Sequence, residues 1–198
     1  MRGFEQIPWL YDPLMVFLER CGLGRWRRWL THGARGRVLE IGCGTGRNLH
    51  LYPDETRPVA LEPDLRVLLA ARRRAPSHGL LVARAESLPF ADGAFDVSSL
   101  VFCSVADPAL GLLEIHRVLR RGGDLRMLEH VRSEHPVAGR IQDWIQPLWT
   151  RVAGGCHPNR STEAAVLEAG FEIEENGRRR SGTMRRFVAR HRDGSSVD

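Results

Sequence analysis

The segment Val38-Leu39-Glu40-Ile41-Gly42-Cys43-Gly44-Thr45-Gly46 constrains this chain more than any other. A short β-favouring apolar run ends in three glycines at every second position, which reads as a buried strand turning sharply into a helix. With no Cβ in the way, a ligand can lie against the peptide planes of such a turn. The dinucleotide fingerprint is Gly-x-Gly-x-x-Gly. Here the third glycine comes one residue early and Arg47 takes its usual place. That spacing argues against a dinucleotide and suits a nucleoside that carries an amino acid. Glu40, at the strand end, would face the ammonium, and backbone N–H groups would take the carboxylate. Glu62 closes the next apolar run about 20 residues beyond Gly42, where a carboxylate accepts both ribose hydroxyls. Its plainer role would be to cap a helix start through Pro63 and Asp64.

The same strand pattern recurs at 59–61, 80–83, 95–101 and 124–129, with helical patterns at 65–74 and 109–119 between them. This alternation predicts an α/β fold, a doubly wound (Rossmann-like), mostly parallel sheet. A helix over 162–169 precedes runs at 171–175 and 185–189, which predict an antiparallel C-terminal edge. Apolar spacing over 7–30 predicts two short helices, broken by Pro13 and by Gly22-Leu23-Gly24. After Arg132 the regularity lapses. The chain therefore reads as one domain over 1–198: a helical lid at 1–35, a cofactor-binding core at 36–131, a small cap at 132–160, and a C-terminal helix and strands at 161–192.

Composition narrows the function classes. The 198 residues are 42% hydrophobic, enough to bury a core, yet no stretch approaches the ~18 consecutive apolar residues of a membrane span. The N-terminus lacks the basic start and apolar run of a secretory signal. Cys21, Cys43, Cys103 and Cys156 form no Cys-x-x-Cys pair, so neither a zinc site nor a disulfide framework is expected, and a reducing cytoplasm fits. All 29 basic residues are Arg, and the net charge is +5. Without lysine there is no Schiff base and no P-loop. The clusters Arg72-Arg73-Arg74, Arg178-Arg179-Arg180 and Arg185-Arg186 read as grips for phosphates or an anionic membrane surface, or as solvated helix ends and turns. The lack of interleaved aromatic residues favours the second reading.

Taken together, Glu40 to Gly46, Glu62, Ala85-Glu86-Ser87-Leu88-Pro89-Phe90 and Glu114 to Gly123 resemble the class I S-adenosylmethionine-dependent methyltransferases. The resemblance covers about residues 11–190. Within that group, Leu100 to Val105, Met127 to Val131, and Trp144 to Trp149 leading to Gly155-Cys156 are similar to small-molecule thiol methyltransferases. Such relatives carry an apolar N-terminal membrane anchor, and this sequence contains no counterpart, so action away from the membrane is expected. The resemblance implies S-adenosylmethionine as cofactor and S-adenosylhomocysteine as product. It puts Gly42, Cys43, Gly44 and Gly46 along the cofactor, Glu62 on the ribose, and Ala85 and Glu86 beside the adenine. Phe102 and Cys103 would lie near the methionine end, with Tyr11 and Asp12 in a lid. Arg84 stands where many relatives have an Asp that reaches the adenine amino group. An Arg has no acceptor, so Glu86 or a backbone carbonyl must serve.

The implied reaction is direct displacement onto a small-molecule thiol, phenol or amine. Positioning alone supplies ~7–11 kcal/mol of such a barrier, and no clustered His/Cys ligands suggest a metal. A thiol with pKa near ~8.5 is already partly thiolate, whereas a phenol or amine wants a base. His130 and His157 are the candidate bases, each equally readable as an ordinary loop histidine. Trp9, Trp144 and Trp149 read as walls of an apolar acceptor pocket, and Trp144 and Trp149 read equally as core. Two alternatives stand beside this reading. The positive charge suits an RNA methyltransferase, but Ser98-Ser99-Leu100-Val101-Phe102 lacks the Asn/Asp-Pro-Pro-aromatic run of enzymes that methylate base amino groups. The other is a protein that binds the cofactor without catalysis.

Overall fold

The computed structural model describes residues 7–191 apart from 101–104, 134, 153–156, 158, 159 and 183. The side chains of 98–100, 130 and 149–152 also lie outside the described set. Strands β1 (Arg37–Ile41), β2 (Arg57–Leu61), β3 (Gly79–Leu81), β4 (Phe95–Leu100) and β5 (Leu119–His130) run parallel. Strand β8 (Met184–His191) adds antiparallel to β5, and β6 (Phe171–Ile173) pairs on its other side. The order is β3-β2-β1-β4-β5-β8-β6, with a short β7 (Arg179–Ser181) forming a hairpin on β8. The α/β, mostly parallel sheet is as expected. Its antiparallel part is deeper than two paired late strands suggest, because β8 is interior and β6 is the edge.

Period-two alternation explains why both faces carry a core. Val38 and Ala60 pack with Leu68 and Ala71 of α3 (Leu65–Arg74). Leu39, Ile41 and Leu61 turn to the opposite face. There they join Leu112 and Ile115 of α4 (Pro108–Val118) and Val166 of α6 (Thr162–Glu168). Asp64 caps α3 by accepting from the Arg66 amide at 2.8 Å, and Asp107 caps α4 through Leu110 at 3.1 Å. The cap role open to Glu62 therefore falls to Asp64.

Two of the recognised motifs form one clamp. Glu114 accepts from the Leu88 amide at 2.8 Å and pairs with Arg117, which donates to the Leu88 and Phe90 carbonyls at 3.0 and 2.8 Å. The Arg117 guanidinium holds the Glu114 carboxyl down to about 2. This clamp fixes the turn that carries Ala85 and Glu86.

Three local readings need correction. Pro13 lies inside α1 (Pro8–Leu18) without ending it; the only bond it removes is to the carbonyl of Trp9, in the solvent-facing first turn. The helix expected directly after the glycine turn shrinks to a 3₁₀ turn, Leu49–Leu51, which ends just before Pro53. The segment after Arg132 is not irregular. It contains α5 (Pro136–Val152), 17 residues long, whose apolar positions Val137, Ile141, Trp144, Ile145 and Leu148 recur at helical spacing but face outward. Their exposure is why no buried face announced the helix.

Candidate active site

In a sheet of this order, the chain leaves β1 in one direction and later crosses to β4 on its other side, opening a crevice at the carboxyl ends of both strands. A cavity of about 940 Å³ occupies that crevice. Its floor is the glycine bend and its roof is α1 with α2 (Gly24–His32). The bend depends on positive φ at Gly42 (70°), Gly44 (56°) and Gly46 (78°). The three serve different ends. A Cβ on Gly44 would meet no atom within 4 Å and would project into open space, so bare backbone faces the cavity there. A Cβ on Gly46 would lie 3.0 Å from the Ala71 Cβ, so this glycine lets α3 approach and does not line the cavity.

Glu62 ends β2 at the cavity wall. One carboxylate oxygen accepts from the Gly44 amide and the other from the Asp64 amide, both at 3.1 Å. Each oxygen keeps a second lone pair. Burial pushes the Glu62 carboxyl up, against the pull of those two amides. Cys43 is buried, with its amide on the Leu61 carbonyl at 2.9 Å. Burial, then the Glu40 and Glu62 carboxylates, push its thiol well above the usual range. Ala85 and Glu86 line the far side of the cavity. One Glu86 oxygen accepts from the Ala106 and Asp107 amides at 3.0 and 3.1 Å, and Arg84 pairs with the other at 3.6 Å. Partial burial raises the Glu86 carboxyl, but the Asp107 amide and its other partners outweigh it, so the net shift is downward.

Glu40 is not at the cavity. Parity places it on the same face as Val38, beneath the loop, only 3% exposed. The Asn48 side-chain amide donates to Oε1 at 3.0 Å, and burial raises the carboxyl to about 7 against the help of Asn48 and Tyr52. From Glu40 a polar chain climbs to the roof. Asn48 accepts from Arg27 at 2.7 Å, Arg27 pairs with Glu19 at 3.2 Å, and Glu19 is gripped by Arg47 through two bonds of 2.8 and 2.5 Å. Beside it, Asp12 accepts from Thr45 and from Arg74, both at 2.7 Å, and Arg74 also donates to the Thr45 carbonyl. Burial raises the Asp12 carboxyl, yet Arg74 and Thr45 bring it below its ordinary value. The residue expected in the lid is therefore its latch. Tyr11, its neighbour, lines the cavity.

The roof also rests on β5. Arg126, 7% exposed, donates from Nε to the Leu30 carbonyl at 2.8 Å and from Nη2 to the Trp29 carbonyl at 2.6 Å, closing the last turn of α2. Its guanidinium lies 4.6 Å from the Trp29 ring centroid, and that of Arg186 on β8 lies 4.7 Å from the same ring.

The remaining candidates fare differently. His157 takes the Gln146 side chain at 2.6 Å and is not among the cavity walls; burial, then Arg160, lower its pKa. The His130 side chain and Phe102 lie outside the described residues. Trp9 (77% exposed) and Trp144 (84%) do not wall the cavity, and Trp144 is not core either, which overturns the wall reading for both and the core reading for Trp144. The Trp149 side chain is outside the described set. Among the described residues the aromatic walls are Tyr11 and Trp26, and sequence reasoning missed Trp26 along with Met15, Leu18, Leu128 and Met184. For Met15, Leu18 and Trp26 the signal was the inward face of two helices, whereas Leu128 and Met184 lie on β5 and β8. Arginine clusters are mostly engaged internally: Arg72 on the Pro76 and His78 carbonyls, Arg74 on Asp12, and Arg178 on Glu163.

A reversed parallel sheet, a glycine bend over β1 and a buried acid closing β2 put the chain in the Rossmann-like α/β class, whose ligands sit outside the strands' carboxyl ends. A family profile described as "Methyltransferase domain" matches residues 39–127. The ubiquinone/menaquinone biosynthesis C-methyltransferase UbiE of Shewanella oneidensis is 31% identical over 204 aligned residues, covering 85% of this chain and 81% of that protein. The chain belongs to the class I S-adenosylmethionine-dependent methyltransferases. Thiol S-methyltransferase TMT1B of Homo sapiens is 38% identical over 151 residues, 70% of this chain. The chain spans 62% of that relative's length. Among solved structures, a SAM-dependent methyltransferase and possible histamine N-methyltransferase of Thermotoga maritima superposes with a TM-score of 0.72 at 24% identity, covering 96% of this chain and 98% of that one.

Proposed function

We propose that this chain binds S-adenosylmethionine and transfers its methyl group to a small-molecule acceptor, with a thiol as the first candidate. The lid, core, cap and C-terminal segments would act as one unit, in the cytoplasm. No helix among the described residues is long and apolar enough to cross a membrane. The observation that carries the reading is that one cavity joins the Gly44 bend and Glu62 to an apolar chamber under Met15, Leu18 and Trp26.

The residues present fit the cofactor. Glu62 has a free lone pair on each oxygen for the two ribose hydroxyls, Gly42 and Gly44 offer bare backbone, and Ala85 with Glu86 flank the adenine end. Cys43, also at the cavity wall, ties the bend to the end of β2 through its amide on the Leu61 carbonyl. When bound, the cofactor supplies a methyl group on a sulfonium, already activated for displacement. The chain's task is then to align the acceptor and keep water out. The Asp12 latch holds α1 closed over the chamber, and Arg126 holds α2. An acceptor that ionises by itself needs no base among the walls. A thiol does so near neutral pH. The thiol reading also draws on the relative from Homo sapiens. His130 stays a candidate base for a phenol or amine, and His157, held by Gln146, a weaker one.

The test is mass spectrometry on a panel of an alkanethiol, a phenol and an amine, each incubated with the protein and S-adenosylmethionine. A gain of one methyl group on the thiol, with its counterpart S-adenosylhomocysteine, is the expected result. Intact cofactor and no methylated acceptor after hours would support the non-catalytic binder instead.

A further inference from the structure

The α1 helix has two apolar faces and only one is accounted for. Tyr11, Met15 and Leu18 roof the cavity. On the outer side Trp9 and Phe17 are 77% and 63% exposed, with Leu10 and Leu14 beside them. A shallow groove carries this surface onto α3, where Trp9 and Pro13 face Arg66, Leu69 and Arg73. The local charges are one-sided. Asp12 and Glu19, the carboxylates of α1 and the turn after it, are held by Arg74 and Arg47. Arg20, Arg66 and Arg73 are exposed, and their side chains have no ion-pair partner among the described residues.

Contrary to the expectation of action away from the membrane, we propose that this face docks peripherally on an anionic lipid surface. Trp9, Leu10, Leu14 and Phe17 would enter the headgroup layer, and Arg20, Arg66 and Arg73 would engage lipid phosphates at its rim. Aromatic and aliphatic side chains fringed by unpaired cations match such a surface in both polarity and charge. A second copy fits less well, since an isologous contact sets the same uncompensated cations against one another. Nucleic acid fits less well too, because Trp9 and Phe17 are set among Leu10, Leu14 and Leu69, aliphatic side chains that give bases no continuous stacking platform. The membrane would then lie on the outer side of the helix that roofs the chamber, so an acceptor dissolved in lipid would reach the roof without crossing bulk water. Docking itself does not depend on which acceptor is methylated.

Flotation of the full chain with vesicles tests this. With vesicles of phosphatidylcholine containing about one-third phosphatidylglycerol, the protein is expected to float, at least about tenfold more than with phosphatidylcholine alone. Half-molar salt should weaken the effect. The double change Trp9→Ser/Phe17→Ser should lower flotation by about tenfold, and Arg66→Gln/Arg73→Gln should lower it on anionic vesicles. Calorimetric affinity for S-adenosylmethionine should be unchanged in both variants, which reports that they are folded. If a variant misfolds, the wild-type contrast between the two vesicle types still decides. No flotation, equal flotation on both vesicle types, or flotation indifferent to Trp9 and Phe17 overturns the proposal. A dimer in sedimentation that Trp9→Ser/Phe17→Ser dissolves, without flotation, assigns the face to a second copy. RNA retention that Arg66→Gln/Arg73→Gln abolishes, again without flotation, assigns it to nucleic acid. Failure of the acceptor panel would leave the flotation result untouched.

Discussion

The floor and the roof of the cavity are built by different physics. The floor is backbone: positive-φ glycines on a buried strand end, an acid on the next strand, and amides that hold the acid in place. The roof is side chains: α1 and α2 lie over the sheet, tied down by Asp12, Glu19 and Arg126 through guanidinium contacts. A floor of this kind is rigid and tolerates few residue types. A roof of this kind is adjustable and removable. On the function proposed above, binding the cofactor would belong to the first, and choosing the acceptor to the second.

The largest break separates the two inner glycines of the floor. Gly44→Val places a β-branched residue at φ 56° with its side chain in the cavity. We expect cofactor affinity to fall at least about a hundredfold in calorimetry, with a native far-UV spectrum. Gly46→Val should do the converse, costing about 3 kcal/mol or more of stability because its Cβ meets Ala71 at 3.0 Å. If both lose only affinity, the division of labour within the bend is wrong.

Next is the base of the polar chain. The folded Glu40 carboxyl at about 7 lies above its ordinary 4.5, so the neutral form is the one the fold favours. That stability is fully present below the unfolded pKa and is lost as pH rises through about 7, a change of about 3 kcal/mol. Thermal melts of Glu40→Gln should therefore show a flatter pH dependence between about 4.5 and 7, and a higher Tm than wild type at pH 8. Identical pH profiles would remove Glu40 from this role.

Glu62→Ala should weaken cofactor binding by about 1–3 kcal/mol, the cost of leaving buried hydroxyls without a charged acceptor. Unchanged affinity would take Glu62 off the ribose. The smallest effect belongs to the roof: Asp12→Ala should cost about 1 kcal/mol of stability, since its ion pairs are partly solvated. It should also quicken cofactor release in stopped flow more than it slows association. An effect confined to association would show that the latch does not hold the lid shut.

The same contrast decides how much was legible in the sequence. The mostly parallel sheet could be read because parallel strands buried on both faces write themselves as continuous apolar runs, as at Val38 to Ile41. The glycine bend and Glu62 could be read because backbone geometry leaves few alternatives. Glu40 was misplaced by ignoring parity: two residues on from Val38, it shares that residue's buried face. Trp9 and Trp144 were misread because an exposed aromatic residue and a pocket wall look alike in one dimension. The stripe on α5 escaped for a related reason, since no buried partner gave its spacing a meaning. Trp26 and Met184 meet only through tertiary packing, and no local pattern joins residues so far apart.

The cap that Arg126 places on α2 has a mechanical corollary. A helix riveted to the sheet at its last turn cannot lift away as a rigid rod, so the gate has a fixed post. Swing must then be taken up where the backbone already departs from helical geometry, at Gly22, whose φ of 128° interrupts the π-type turn between the two roof helices.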